Sequence, residues 1–328
     1  AFGGSPPLGF ADNGAPGTIF TKSASQSYGD LLFTGNGQVI EEDMGSEFNN
    51  GKKARLEELA QFDSITATNT ALVEIGSSTL PFATTTNLTL AGNAIFIVAT
   101  GTTLSYTNLD IAGGGILTER GTINFPSDFT IEAGGEVRFD RARSFNNLTV
   151  DGTLSHSPNR TTQEYFVDLD IAGDFTINSD AFVNVDRKGY SNGQTAGNGA
   201  GPGAGQSGGG LSGGGGAYGG DGGDTSDGQS GGTAYGSTTN PVQLGSSGGG
   251  HDLNQQNEVG DGGGLAIFNV TGTTTINGTI TADGGTGLNG TNDAAGGGSG
   301  GGINLTTGGL AGTGSLGANG GNGGNDSN

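Results

Sequence analysis

The stretch "NLTL", from Asn87 to Leu90, decides the predicted fold of this 328-residue chain, because its pattern recurs four more times. Each copy has Asn or Asp, then a large apolar residue, a polar residue and an aliphatic residue. The spacings between copies are 21, 20, 19 and 21 residues. A near-constant period indicates a repeat architecture, in which each unit buries its apolar face only against its neighbours. The copies begin at Asn87, Asn108, Asp128, Asn147 and Asp168.

Each copy reads as a short strand, because its second and fourth residues lie on the same face. Stacked copies could pair with their equivalents about 4.8 Å away. The sequence therefore predicts an all-β fold, a parallel β-helix (solenoid) with rungs of about 20 residues. The first residues of the copies would then form a structural ladder along one edge, at Asn87, Asn108, Asp128, Asn147 and Asp168.

The rest of the chain divides by composition. Residues 1–50 are turn-rich and predict an N-terminal arm, with "DLLF" and "GQVIE" as candidate strands. The segment "KKARLEELAQF" has apolar residues at helical spacing, so residues 51–63 are predicted to be a capping helix. The β-helix rungs would occupy residues 64–190. A glycine-rich tract at 191–263 and resumed β rungs at 264–328 would follow.

Glycine is concentrated after Tyr190, where 50 of the 72 glycines lie. Several recur at every third position, which is the period of a polyproline II helix. A packed set of polyglycine II helices is compatible with this pattern, and a flexible linker is the alternative. Strand-like sequence resumes at Leu265 and favours order. The period-three run comprises Gly210, Gly213, Gly216, Gly219 and Gly222.

The net charge of −21 argues against nucleic acid as a partner, because phosphate would be repelled. All eleven basic residues lie at or before Lys188. The absence of cysteine fits an extracellular protein. The start at Ala1 is interpreted as that of a processed product. No apolar run approaches the roughly 20 residues of a membrane helix, so no membrane insertion is expected.

Only one candidate metal site stands out, in "GGDGGDTSDGQSGG". Carboxylates and carbonyls are suitable calcium ligands, so calcium is the one cofactor considered. The alternative is a solvated acidic loop. The candidate ligands are Asp221, Asp224 and Asp227.

The sequence predicts no catalytic residue, and the chain is predicted not to be an enzyme. His156 and His251 are interpreted as surface histidines. Asp110 and Asp170 would lie three rungs apart, beyond the reach of a paired-carboxylate mechanism. Three arginines near Asp140 are either solvated strand-face charges or the lining of a saccharide groove, namely Arg138, Arg141 and Arg143.

The succession "FTINSDAFVNVDRKGYSNG", "GGGGAYGGDGG" and "GGGLAIFNVTGTTTINGTITADGG" resembles glycine-rich β-helical regions of large secreted bacterial surface and adhesin proteins. The likeness extends over residues 85–324. The period-three glycines also resemble the polyglycine II sandwiches of phage tail-tip adhesins. These resemblances imply an extracellular or cell-surface location.

The leading hypothesis is an extracellular, non-enzymatic structural or adhesive protein that self-assembles head to tail into a fibre or surface layer. Its expected partners are other copies of itself or a cell-surface or matrix polysaccharide. The alternative is a β-helix protein that binds or cleaves polysaccharide. A deep acidic groove on one face would favour the alternative.

Overall fold

The computed structural model describes residues 17–35, 53–56, 61–76, 82–192, 197–207, 211–250, 259–290 and 293–325. These residues form 22 strands and no helix. In chain order the strands are β1 (Gly17–Thr21), β2 (Asp30–Thr34), β3 (Ala54–Leu56), β4 (Gln61–Thr68), β5 (Leu72–Ile75), β6 (Phe82–Leu90), β7 (Ile95–Val98), β8 (Thr103–Ile111), β9 (Ile116–Glu119), β10 (Thr122–Ile123), β11 (Asp128–Ile131), β12 (Glu136–Phe139), β13 (Arg143–Phe145), β14 (Asn147–Val150), β15 (Thr153–Ser155), β16 (Val167–Ile171), β17 (Phe175–Ile177), β18 (Phe182–Asn184), β19 (Leu265–Ile276), β20 (Thr279–Thr281), β21 (Gly302–Ala311) and β22 (Ser315–Gly317).

The strands belong to three sheets. The first has the order β1-β2-β4-β6-β8-β10. The second has the order β11-β14-β17-β19-β16-β13, with β21 paired to β19, and the third runs β22-β20-β18-β15-β12-β9-β7-β5-β3. The β1–β2 pair is antiparallel, and the other strand pairs are parallel.

All three sheets contribute to one apolar core. The first sheet supplies Leu88, the second supplies Leu148 and the third supplies Phe96, each with at most 1% of its surface exposed. Burial alternates along the strands, as in β14, where Leu148 and Val150 are buried and their neighbours are not. Period-two alternation therefore gives each sheet an inward apolar face and an outward polar face.

The all-β prediction is confirmed, but the predicted parallel β-helix with rungs of about 20 residues is wrong. The strands fall into separate sheets, and hydrogen-bonded neighbours are not one repeat apart throughout. In the β16–β19 pair, Asp170 lies beside Asn269, 99 residues later. A four-residue pattern specifies a strand and its inward face. The partner strand depends on where the chain returns, and the pattern does not encode that position.

The predicted capping helix at residues 51–63 is also wrong. Its described residues belong to β3 and to the start of β4, whereas residues 57–60 lie outside the described part. Ala54 is buried, Leu56 packs against the core, and β3 pairs with β5. Sheet pairing and burial thus override the local helical propensity.

The predicted N-terminal arm lies partly outside the described residues, including "GQVIE". The described segment, residues 17–35, contains β1 and β2. The "DLLF" stretch lies in β2, where Leu31 and Phe33 are buried in the core. This part of the arm therefore belongs to the first sheet, because β2 pairs with β4.

The glycine segments are held by main-chain hydrogen bonds. Along residues 213–216, each of three successive amides donates to a different neighbouring segment. The fourth amide, three positions after the first, donates to the same segment as the first. The pattern of bonds thus repeats every three residues. The donor–acceptor pairs are Gly213 N to Ala294 O at 2.8 Å, Gly214 N to Gln206 O at 2.9 Å, Gly215 N to Gly223 O at 3.0 Å and Gly216 N to Gly297 O at 2.8 Å.

Close approach of these segments explains the need for glycine. A Cβ atom at Gly262 would overlap the carbonyl oxygen of Gly245, and one at Gly301 would overlap that of Gly264. The obstacle is main chain in both cases, so it cannot rotate away. By contrast, a Cβ at the exposed Gly220 would meet no atom within 4 Å.

We expect Gly262→Ala to lower the free energy of unfolding by about 2 kcal/mol or more, because the methyl group would force packed main chains apart. Gly220→Ala is the matched control, expected to change stability by less than about 1 kcal/mol. Denaturant unfolding of both variants measures the difference. Equal stability of the two variants would contradict the close packing.

Candidate functional site

The first and second sheets separate between β8 and β11. Along β8, residues 108–111 pair with β6 on one edge. On its other edge β8 pairs with β10, through Thr103 and Leu104. β11 pairs with β14 on the far side. Within the described part of the chain, no strand pairing joins residues 108–111 to β11, so two strand edges face each other.

The main chain is joined again on both sides of this gap. The N–H of Asn124 donates to the carbonyl of Leu104 at 2.9 Å, and that of Gly114 donates to Gly134 at 2.8 Å. The intervening segments, residues 105–113 and 125–133, have the same length. The gap is therefore not caused by an inserted residue.

The sequence Phe125-Pro126 accounts for the separation. Phe125 uses its N–H in a tight turn to the carbonyl of Ile123 at 3.0 Å, and Pro126 has no N–H to donate. The Phe125 ring packs among the neighbouring aromatic side chains. Its ring centroid lies 4.6 Å from that of Phe129, 5.6 Å from Phe139, 6.2 Å from Phe145 and 6.3 Å from Tyr106.

The gap forms a cleft of about 330 Å³. The apolar lining residues Ile111, Phe129 and Ile131 are buried, whereas Asn108 and Glu132 are exposed at the rim. The cleft thus has an apolar floor and a polar rim. The lining consists of Tyr106, Thr107, Asn108, Leu109, Ile111, Pro126, Phe129, Thr130, Ile131 and Glu132.

An ion pair with a fully buried carboxylate lies near the cleft, around the turn that contains Ile123. Glu119 Oε1 accepts the N–H of Ile123 at 2.8 Å, and Glu119 Oε2 lies 3.3 Å from Arg143 Nε. Arg143 also donates to the Ile123 carbonyl and lies over the Phe125 ring. Burial raises the pKa of Glu119 to about 7 and raises that of Tyr106 as well. Sequence reasoning missed Glu119. Its position two residues after the inward Leu117 places it on the same, inward face of the strand.

The three arginines near Asp140 do not line an open saccharide groove. Arg138 is buried and pairs with Glu136 at 2.7 Å. Arg141 donates to the Gly121 carbonyl at 2.7 Å and, as above, Arg143 donates to that of Ile123. Neither sequence interpretation applies to Arg138, which is buried beside Glu136 of its own strand, or to Arg143, whose guanidinium group ties neighbouring segments together. Arg141 is exposed but makes the same kind of tie.

The side chain of Asp140 is fully buried. Its Oδ2 lies 3.2 Å from Arg120 Nε, and its Oδ1 accepts the N–H of Ser157 at 2.7 Å. Burial raises the pKa of this carboxyl group. Asp140 is thus engaged in holding the chain around Ser157.

His156 is completely buried, so its interpretation as a surface histidine is wrong. Its Nδ1 lies 2.7 Å from the carbonyl of Ser157, and its Nε2 accepts the N–H of Leu265 at 3.3 Å. This arrangement fits a neutral ring protonated at Nδ1. Burial, assisted by Lys188, lowers the pKa of His156 to about 3. The sequence does carry a signal for this burial, because His156 lies two positions after the inward Leu154 and residues at that spacing share a strand face. His251 lies outside the described residues.

The predicted Asn/Asp ladder exists in two parts. Asn108 Nδ2 donates to Asn87 Oδ1 at 2.8 Å, and Asn147 Nδ2 donates to Asp128 Oδ1 at 2.7 Å. The cleft separates Asn108 from Asp128. Asp168 does not belong to the ladder, because β16 pairs with β13 and β19 rather than with β14.

Asp174 occupies the position that the sequence assigned to Asp168. Its N–H donates to Asn147 Oδ1 at 2.8 Å, and its own Oδ1 accepts the N–H of Thr273 at 2.8 Å. The missed signal is the stretch "DFTI" at residues 174–177, which repeats residues 128–131 letter for letter. The identity of the two "DFTI" stretches therefore identifies Asp174 as the ladder partner of Asn147, whereas the regular spacing of about 20 residues pointed to Asp168.

The three candidate calcium ligands bind main-chain amides. Asp221 Oδ1 accepts the N–H of Ala234 at 2.7 Å, Asp224 Oδ1 that of Gly231 at 2.9 Å and Asp227 Oδ2 that of Ser212 at 2.8 Å. Among the described residues, no group of three or more His, Asp or Glu side chains could hold a metal ion. Calcium binding at these aspartates stays a prediction.

The outward acids Asp110 and Asp170 lie in different sheets. Asp110 is on β8, and Asp170 on β16 accepts a hydrogen bond from Asn269 at 3.1 Å. They are not brought together in a common site.

Comparisons of the chain with protein-family models, with curated proteins and with solved structures gave no match. A search of the described residues for a helix able to cross a membrane found none. The functional interpretation therefore depends on the geometry of the cleft, the strand edges and the internal ties.

We expect Asp174→Ala to lower the free energy of unfolding by about 1 kcal/mol, because the Thr273 amide loses a charged acceptor. Asp168→Ala is the control, since this carboxylate lies outside the ladder and its pKa is raised by burial and by Asp170. Urea unfolding at neutral pH measures both. A larger loss for Asp168→Ala would contradict the corrected ladder.

Proposed function

We propose that this chain is an extracellular, non-enzymatic structural or adhesive protein whose copies associate head to tail. The observation that carries the proposal is the exposure of apolar side chains on strands at both extremes of the fold. Elsewhere the large apolar residues are mostly buried in the common core. Such exposed patches are typical of surfaces that bind another protein.

At one extreme, β1 exposes Ile19 to 41% and Phe20 to 49%. At the other, Leu310 of β21 is 66% exposed and Leu316 of β22 is 51% exposed. These strands pair on one edge with β2, β19 and β20, respectively. No other described strand pairs with their second edges. A free edge beside apolar side chains is a template for strand addition.

A second copy of the chain is the occupant that these edges fit. Joining β1 of one copy to β21 of the next brings exposed apolar side chains of the two strands together. Because β1 runs opposite to β2, this junction would be antiparallel if the strand direction is maintained from copy to copy. The contact is heterologous and does not close on itself, so it generates a filament.

The charged residues support a mechanical role for the body of the protein. The side chains of Glu119 and Asp140 are completely buried, and each lies beside an arginine from another segment. Their polar atoms thus hold strands together. The net charge of −21 opposes association at low ionic strength, so assembly should strengthen as salt is added.

We expect the double variant Leu310→Lys and Leu316→Lys to abolish head-to-tail polymers, because two charges would enter the apolar junction. Light scattering over a range of protein and salt concentrations measures the assembly. Phe182→Lys is the matched control. Phe182 is 45% exposed, but its strand is paired on both edges.

Polymers of the wild-type protein and of Phe182→Lys, with a monomeric double variant, would support the proposal. A wild-type protein that stays monomeric at high concentration and raised salt would overturn it. Equal polymer formation by the double variant would assign assembly to another surface.

A further inference from the structure

We propose that the cleft between β8 and β11 binds an extended peptide segment with alternating apolar and basic residues, by main-chain pairing to the two facing edges. This site lies on the side of the strand stack and is separate from the end junction. Its ligand is a different partner from the next copy in a polymer. The two proposals therefore stand or fall independently.

The main-chain edges are the first argument. Residues 108–111 and β11 each pair with a neighbour on the far edge and face the cleft with the other. Main-chain N–H and C=O groups are obligatory hydrogen-bonding groups, so an entering backbone can replace the water that satisfies them. Strand addition to an exposed sheet edge is an established mode of peptide recognition.

The arrangement of side chains sets the shape of the ligand. On β8, Ile111 is buried and Asp110 is exposed, and on β11, Phe129 and Ile131 are buried whereas Asp128 is exposed. A strand placed between them presents successive side chains to opposite faces. Its inward residues must therefore be small or apolar, to pack on the floor of the cleft.

The charge of the rim sets the outward residues of the ligand. Glu132 lines the cleft and is exposed, and the flanking strands β8 and β11 carry two further exposed acids, Asp110 and Asp128. Arg143 does not neutralise them, because its guanidinium is held by Glu119 and by the Ile123 carbonyl. Lysine or arginine at outward positions would complement this rim, and salt would weaken the attraction.

An oligosaccharide fits the cleft less well. Sugar hydroxyl groups need polar partners when they are buried. The floor instead consists of Ile111, Phe129 and Ile131. The observations therefore favour a peptide.

The test uses an acetylated and amidated eight-residue peptide of alternating lysine and valine, with isothermal titration calorimetry on the full chain. Two comparison peptides are a version with prolines in place of two central residues and an alternating glutamate–valine peptide. We expect the lysine–valine peptide to bind and the proline version to bind at least about tenfold more weakly, because it lacks main-chain donors. The glutamate–valine peptide should not bind.

A pair of charge-reversal variants locates the site. Asp110→Lys combined with Glu132→Lys should weaken the lysine–valine peptide by about tenfold or more, with an unchanged melting temperature. Glu164→Lys reverses an exposed acid outside the cleft lining and serves as the control. It should bind as the wild type does.

Absence of lysine–valine binding, or equal binding of the proline peptide, would overturn the proposal. Equal weakening by Glu164→Lys would indicate nonspecific attraction to an acidic protein and would overturn it too. A neutral hexasaccharide that binds and displaces the peptide would reassign the cleft to a glycan. These results leave the assembly measurement unaffected, since that experiment depends on the end strands.

Discussion

The main-chain hydrogen bond between neighbouring segments is the interaction on which this structure depends. It joins the strands of all three sheets, and it also joins the glycine segments, where many residues carry no side chain. Such bonds require the backbones to approach within about 5 Å. In the sheets, apolar side chains on the inward faces stabilise that approach. In the glycine segments, the absence of a side chain is what permits it, as at Gly262 and Gly301.

The cleft is the place where this constraint is relaxed. Phe125 turns its ring among the aromatic side chains, and Pro126 removes a donor, so two strand edges that could have paired remain apart. The main chain closes again at Gly114 and Gly134 without a change in the number of residues. The opening is therefore built into the local sequence, and its surroundings are held by the buried ties of Glu119 and Arg143.

The sequence predicted strands and their inward faces well, because period-two alternation is a local property. Leu88 and Leu148 lie in the core as their pattern implies. It did not predict which strands pair. Asp168 fitted the repeat spacing of about 20 residues better than Asp174. In the structure, however, Asp174 is the residue that hydrogen-bonds to Asn147. Spacing within a repeat is a weaker guide to pairing than the identity of a stretch such as "DFTI".

Burial of polar groups was also beyond the sequence analysis. His156 and Asp140 look like surface residues when each is considered with its immediate neighbours, yet both are enclosed by distant segments. The cleft could not be expected either, since it arises from missing pairs rather than from a motif. The same limit applies to the segment predicted as a capping helix, whose residues in β3 obtain their partners from β5.

Amide hydrogen exchange of the glycine segments tests most directly the claim that main-chain bonds hold them together. The amides of Gly213, Gly249, Gly262 and Gly296 donate to carbonyls of other segments at 2.8–3.0 Å. We predict that they exchange as slowly as the amides of the core strands, because they open only with a large part of the fold. Exchange at the rate of an unstructured peptide, with the core strands still protected, would contradict the account.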